Sequence, residues 1–155
     1  MSATRYFEDF TVGTRTAMGT HTVTQQEIIR FASAWDPQPF HTDVEAARRG
    51  PYGGLVAAGL HTGSLMMSLL IRYRLAEGPD EGFIISPGFE DLRWHEPVRP
   101  GDTLSLTVEV AELVPSRSKP DRGLIKNRWE ATNQHGRLAF SMTGKAIYKR
   151  RNGGT

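Results

Sequence analysis

The sequence predicts an α+β domain in which an antiparallel sheet wraps around one long central helix. Three observations predict it. A threonine-rich, β-prone stretch at residues 15–23 comes first, and a block with helical spacing of apolar residues follows. That block ends in the longest apolar run without proline, residues 55–71. From residue 83 onward, apolar residues recur at every second position in several stretches, which is the pattern of half-buried strands.

The composition fits one ordinary domain and limits its chemistry. The chain has 155 residues, no cysteine and a net charge of +2, so disulfides and thiolate catalysis are excluded and nothing demands a nucleic acid. No apolar run approaches the roughly 20 residues that cross a bilayer, and residues 1–10 lack the apolar core of a signal peptide. We therefore expect a cytoplasmic protein that binds neither nucleic acid nor membrane, with its domain at residues 1–149 and a disordered basic tail at 150–155.

Two capping boxes predict where helices begin. Thr24 can accept a hydrogen bond from an orphan amide while Glu27 reaches back, and apolar residues at helical spacing follow. Pro37 disfavours helical geometry in the residue before it, so this helix is expected over Gln25–Trp35. A second box opens a short helix over about residues 42–49.

The longest helix is expected over about residues 59–73. Leu60, Ser64, Met67 and Ile71 share one stripe of it, and the helix should be largely buried. Strand character is expected around residues 5–13, 15–23, 84–85, 89–94, 104–110, 125–131 and 138–148, with a hairpin turn at 133–136.

Asp36 and His41 are the first candidates for chemistry. They form an acid/base pair by residue type, and the prolines between them, Pro37 and Pro39, predict a rigid, extended connection. Such a connection could direct both side chains at one water molecule, which one group deprotonates while the other donates a proton. The alternative is that Asp36 is a turn residue and His41 a partly buried contact, and residue types alone leave both open.

The segment Asp36–His41 resembles the Asp-x-Asn-Pro-x-His signature of the MaoC-like, (R)-specific enoyl-CoA hydratases, which have a hot-dog fold. The sequence departs from the family's pattern at Trp35, where glycine is frequent, and at Gln38, where asparagine is frequent. Three further stretches resemble the same family in the same order, namely residues 53–59, 93–102 and 133–136. Together with the first segment, the resemblance covers roughly residues 6–149.

The resemblance implies a set of site residues. Asp36 and His41 match the catalytic pair that activates water, and Ser64 lies where the family has a serine that orients this pair. The backbone of Ala58 and Gly59 matches the region that binds the thioester carbonyl. From the residues alone, Ser64 could equally bond a helix carbonyl, and Gly59 could merely allow close packing.

Two further groups are weaker candidates. Trp35, Met67 and Trp94 could line an acyl slot, although core packing is the ordinary role of such residues. Three arginines could contact the phosphates of coenzyme A: Arg48, Arg49 and Arg72. The more common role of such residues is to form a solvated basic surface.

The other histidines are weaker candidates for a functional site. His61, on the long helix, is expected to be a surface or interface group. No metal-ligand spacing connects the histidines, so no metal site is expected.

The resemblance implies reversible hydration of a 2-enoyl-CoA to a 3-hydroxyacyl-CoA by a homodimer or higher homo-oligomer, without a metal or redox cofactor. Two alternatives remain open from the sequence. One is a hot-dog thioesterase, which would direct water at the thioester carbonyl and release a free thiol. The other is an acyl-CoA-binding subunit without catalytic activity.

Overall fold

The structure is a computed structural model that describes residues 4–152, and its strands form one six-stranded antiparallel sheet curled around a long helix. A 3-10 helix at Phe7–Asp9 precedes the regular elements. In chain order these are β1 (Arg15–Thr22), α1 (Gln25–Trp35), α2 (Pro39–Thr42), α3 (Val44–Arg48), α4 (Gly59–Glu77), β2 (Phe83–Ile85), β3 (Phe89–Trp94), β4 (Thr103–Pro115), β5 (Arg122–Thr132) and β6 (Leu138–Lys149). The predicted α+β architecture with one central helix is confirmed.

The sheet has two different edges. Its strands follow the order β1-β4-β5-β6-β2, and β3 also pairs with β6, further along that strand. The hairpin turn between β5 and β6 lies at 133–136 as predicted, where the N–H of Gly136 donates to the carbonyl of Asn133. Because β6 is the described partner of both short strands, β3 presents its other side as an edge.

The core lies between α4 and the concave face of the sheet. Thr62, Met66 and Leu69 bury one face of α4 against sheet residues such as Phe140 and Leu106. The expectation that α4 is largely buried is wrong for its opposite face, because no described part of the chain covers it. Leu60, Ile71 and Leu75 are exposed there. No helix in residues 4–152 is long and apolar enough to span a membrane.

The N-terminal segment departs from the prediction, whereas the predicted tail is described only in part. Residues 5–13 contain the 3-10 helix instead of a strand, because Phe7 packs directly against Gly123, where an added Cβ would lie 2.4 Å from the Phe7 ring. Of the expected disordered tail, Arg150 and Arg151 form ion pairs with acids of the 3-10 helix segment, and Gly153–Thr155 lie outside the described residues. The domain boundaries themselves stay a prediction.

The two helices predicted from capping boxes, α1 and α3, both begin at a side-chain cap, but the cap of α3 is not the predicted residue. Thr24 accepts from the N–H of Glu27 at 3.2 Å, as expected for α1. The second box is wrong by one position, because Asp43, not Thr42, caps α3 by accepting from the N–H of Ala46 at 2.9 Å. A carboxylate accepts strongly from the orphan amides of a first turn, and the Thr42 hydroxyl instead donates to the carbonyl of Gln38.

Candidate active site

Asp36 is placed by the end of α1. Its N–H donates to the carbonyl of Ala32 at 2.8 Å, the last bond of the helix, and Pro37 prevents a further turn. The side chain of Gln38 folds back so that its Nε2 donates to Asp36 Oδ1 at 2.8 Å. One carboxylate oxygen is therefore occupied, and the other, Oδ2, is directed at His41.

His41 lies on α2, a helical turn where an extended connection was expected. Pro39 is the first residue of that turn, where a missing N–H costs nothing and φ is already helical. The imidazole is 6% exposed, and its Nδ1 lies 2.7 Å from the carbonyl oxygen of Val56. A carbonyl can only accept, so Nδ1 carries the hydrogen, and Nε2 of the neutral ring has a free lone pair.

Asp36 Oδ2 and His41 Nε2 are 3.4 Å apart. Both are acceptors while the imidazole is neutral, so they cannot hydrogen-bond to each other directly. A water molecule has two protons and can donate one to each of them. The prediction that the two side chains converge on one point is therefore confirmed geometrically, whereas their catalytic role stays a prediction.

The pair opens into a cleft with a volume of about 590 Å³. Its walls come from α1–α2, from the start of α4 and from the segment after β3. The lining residues are Asp36, Gln38, Phe40, His41, Tyr52, Val56, Ala57, Gly59, Leu60, Thr62, Trp94, His95, Glu96, Pro97 and Val98.

The start of α4 faces this cleft with backbone donors that have no acceptor in residues 4–152. Ala58 is the N-cap and has no side chain that could bond to them, and the first backbone bond of the helix runs from Thr62 N–H to the carbonyl of Ala58 at 3.1 Å. The N–H groups of Gly59 and Leu60 precede it and have no acceptor within the helix. Helix N-termini of this kind stabilise negative charge.

Trp94 covers the same helix start. Its indole Nε1–H donates to the carbonyl of Gly59 at 2.9 Å, and a Cβ added at Gly59 would lie 2.5 Å from the ring. Gly59 thus does allow close packing, here with Trp94. Ser64 is exposed and donates to the carbonyl of Leu60 at 2.8 Å, so its predicted orienting role has no hydrogen bond to support it among the described residues.

Other predicted site residues lie away from the cleft. Trp35 is 78% exposed and is neither core nor cleft wall, because it ends α1 beyond the helix's buried face. Met67 lines a separate cavity of about 250 Å³ between the C-terminal half of α4 and the sheet. The three arginines Arg48, Arg49 and Arg72 are all exposed, and Arg48 pairs with Glu45 on its own helix. Contact with coenzyme A phosphates stays a prediction for all three.

His61 is a buried residue whose position sequence reasoning missed. It is 5% exposed, stacks on Phe31 of α1, and has Nε2 3.9 Å from Glu27 Oε1, while its Nδ1 has no partner among the described residues. Burial lowers the pKa of His61 below its usual value, and the nearby Glu27 offsets only part of this. Burial would raise the pKa of Glu27, but hydrogen bonds from His21 and Thr24 outweigh it and lower that pKa.

Two other neighbours of the site also escaped sequence reasoning. Val56 supplies a backbone carbonyl, which leaves no signal in a sequence, and Glu96 adds a second carboxylate to the cleft. Within residues 4–152 no group of histidine and acidic side chains could hold a metal ion.

The curled sheet, the central helix and the cleft at the helix N-terminus together define a hot-dog domain. A family model described as "MaoC like domain" matches residues 10–130. The chain belongs to this MaoC-like family, which confirms the resemblance.

Two similar proteins carry activity names. A 3-hydroxybutyryl-CoA dehydratase of Methylorubrum extorquens is 36% identical over 115 residues, which is 74% of this chain and 69% of the relative. The crystal structure of a MaoC-like dehydratase from Rhodospirillum rubrum is 39% identical, with a TM-score of 0.86 over 95% of this chain and 98% of that one.

A third match is to a solved (R)-hydratase. This enzyme, from A. caviae and involved in PHA biosynthesis, is 27% identical, with a TM-score of 0.68 over 92% of this chain and 98% of that one. The similar proteins therefore include hydratases and dehydratases, which supports a hydro-lyase.

Proposed function

We propose that this protein is a hydro-lyase that adds water reversibly to a 2-enoyl-CoA thioester and gives a 3-hydroxyacyl-CoA. The observation that carries the proposal is the 3.4 Å approach of Asp36 Oδ2 and His41 Nε2, two acceptors that together fit one water molecule. His41 is held in the required tautomer by the carbonyl of Val56. The names of two relatives, an (R)-hydratase and a 3-hydroxybutyryl-CoA dehydratase, support a reaction of this kind.

The chemistry follows from the positions of the charges. The pair withdraws a proton from water as its oxygen bonds to the β-carbon of the enoyl group. The π electrons shift to the α-carbon and onto the thioester oxygen, which becomes an enolate. When the enolate collapses, the α-carbon takes up a proton delivered from the pair, so that one water has been added. No metal or redox cofactor takes part in the reaction as proposed.

The enolate oxygen needs preorganised donors. The free N–H groups of Gly59 and Leu60 are fixed at the start of a helix, where the dipole also favours negative charge. Removing one donor from such an arrangement typically costs about 10²–10³-fold in rate. The role that the resemblance implies for the Ala58–Gly59 backbone therefore has a physical basis in this chain.

The charged side chains that line the cleft indicate which acyl group it accepts. Among its lining residues there is no lysine or arginine, whereas Asp36 and Glu96 are carboxylates. A carboxylated acyl group would meet like charge there. We therefore propose an uncharged acyl group, and the 3-hydroxybutyryl thioester is the first substrate to test in the direction of dehydration.

The assembly that we propose is a homodimer formed in the cytoplasm. The edge strand β3 and neighbouring surfaces expose large apolar side chains, including Phe89, Trp94 and Ile85, and the uncovered face of α4 adds Leu60 and Leu75. An open edge strand with apolar neighbours pairs readily with another strand. A second copy that pairs through β3 would continue the sheet and cover this surface.

The test is turnover of a panel of 2-enoyl-CoA thioesters with short, long, branched and carboxylated acyl groups. Loss of the conjugated-thioester absorbance is followed together with the release of free thiol. Loss without free thiol, abolished in Asp36→Asn and His41→Ala, supports the hydratase. Free thiol would favour a thioesterase. Stabilisation by acyl-CoA without turnover would favour a binding subunit, and full activity of both variants would refute the proposed roles.

A further inference from the structure

Trp94 is a large side chain in direct contact with the start of α4. The residue ends β3, and its indole crosses the cleft wall to the helix, where Nε1–H donates to the carbonyl of Gly59 at 2.9 Å. Half of the side chain is exposed and contributes to the cleft. The contact leaves no room for a side chain at residue 59 unless the indole moves, because a Cβ there would lie 2.5–2.8 Å from three ring atoms.

The peptide group that accepts this bond is also a donor. The carbonyl of Gly59 and the N–H of Leu60 belong to one planar, trans peptide unit, so they point in opposite directions and cannot rotate independently. Fixing the carbonyl oxygen from one side therefore fixes the N–H on the other. Leu60 lines the cleft, and its N–H precedes the first bond of the helix.

The bond also polarises that peptide. Hydrogen bonds in a chain strengthen one another, because a donor on the carbonyl oxygen makes the N–H of the same amide more positive. An indole supplies such a donor, whereas a phenyl ring does not.

We propose that Trp94 is a positioning residue for the hydration step, acting through the Gly59–Leu60 peptide on the N–H that stabilises the enolate. This rests on the proposed function. The indole does not touch the reacting atoms in this role. It orients and polarises the donor that does, and its close packing explains why residue 59 is glycine.

The first variant is Trp94→Phe, which keeps one aromatic ring and removes the N–H together with the second ring of the indole. For the best enoyl-CoA of the panel, we expect kcat to fall about 10-fold, the size of one lost hydrogen bond, while KM stays within about 2-fold. The melting temperature should stay close to that of the wild type, because residue 94 is half exposed and keeps one aromatic ring.

A spectroscopic measurement separates positioning from packing. A saturated acyl-CoA cannot be hydrated, so the stretching frequency of its bound thioester carbonyl reports the strength of the donors. The frequency should be lowered on binding to the wild type and lowered less in Trp94→Phe. An unchanged frequency shift in the variant, or a wild-type kcat, would overturn the proposal.

A double-mutant cycle tests the contact with Gly59. Gly59→Ala should displace the indole and reduce kcat about 10-fold or more in the wild-type background. In a Trp94→Ala background the same change should cost less than about 3-fold, because no ring remains to be displaced. Equal losses in both backgrounds would contradict the coupling. A wild type that hydrates no enoyl-CoA refutes the proposed function and this role with it, whereas an active wild type with an equally active Trp94→Phe refutes only this role.

Discussion

Replacing Asp36 with asparagine should abolish activity and stabilise the fold at the same time. In the wild type, Asp36 Oδ2 and His41 Nε2 are two acceptors 3.4 Å apart. Gln38 already donates to Oδ1, so an asparagine at this position should keep its oxygen there and turn its amide nitrogen toward His41. That amide would donate directly to the lone pair of Nε2 and occupy the place of the water.

The two effects differ in size as well as in sign. Loss of a general acid/base typically reduces the rate by about 10²–10⁴-fold, which corresponds to about 3–5 kcal/mol of barrier. The new hydrogen bond should add about 0.5–1.5 kcal/mol to the free energy of unfolding, toward the lower end because the Asp36 side chain is 36% exposed. For a domain of this size, the melting temperature should rise by about 1–4 °C.

Both effects can be measured on one preparation. Turnover is followed by the conjugated-thioester absorbance, and unfolding by heat and by urea, at pH 8, where an imidazole is ordinarily neutral. Asp43→Asn is a matched control that should change neither quantity, because asparagine caps a helix as well as aspartate does. A variant that keeps activity within about 3-fold, or that melts more than about 2 °C lower, would refute the arrangement of acceptors described here.

Three further results are expected. Burial lowers the pKa of His61, so the folded state favours the neutral ring and the free energy of unfolding should fall as the pH drops below about 6.5. In urea unfolding, His61→Phe should lose less of this free energy between pH 7.5 and pH 5.5 than the wild type does. Arg74 donates to the partly buried carboxylate of Asp80 at 2.6 Å, and Arg74→Leu should cost about 1.5–3 kcal/mol of unfolding free energy, with a cost under 1 kcal/mol contradicting the pairing. Glu96→Gln should raise kcat/KM for carboxylated substrates about 5-fold relative to kcat/KM for uncharged ones, because it removes roughly 1 kcal/mol of repulsion in water. An unchanged relative kcat/KM would place Glu96 away from the acyl group.

Local signals predicted the fold well where they are strong. The bounds of α1 agree with the structure because a cap at Thr24 and a proline at 37 are both encoded within a few residues of the helix ends. The start of α4 at Gly59 was equally predictable, and its end was placed one turn early because the pattern fades toward the exposed C-terminal half. Strands with alternating burial, such as β4, were found from their period.

The site was only partly predictable. Asp36 and His41 could be paired from their types and from the family signature, but a helix of four residues has no periodicity, so α2 was read as extended. The tautomer of His41 depends on the carbonyl of Val56, a backbone atom that any residue could supply. The donation from Trp94 to Gly59 joins an edge strand to a helix start, and such a contact is visible only in three dimensions.

Tertiary contacts explain the remaining errors. His61 was expected at the surface because polar residues on helices usually are, but Phe31 and Glu27 of α1 cover it. Trp35 was a candidate for an acyl slot or for the core, yet it follows the last buried residue of α1 and extends into solvent. In both cases the deciding neighbours belong to the arrangement of elements, and periodicity within one helix does not contain that information.

The strand β3 carries both the open edge of the sheet and the indole that contacts α4. If a second copy pairs with this edge, association and the order of the helix start become thermodynamically linked. A substrate analogue that binds better to the ordered cleft would then tighten the dimer, and the dimer would tighten the analogue by the same factor. Dilution below the dissociation constant of the dimer would therefore lower the activity per subunit, and added analogue would restore it.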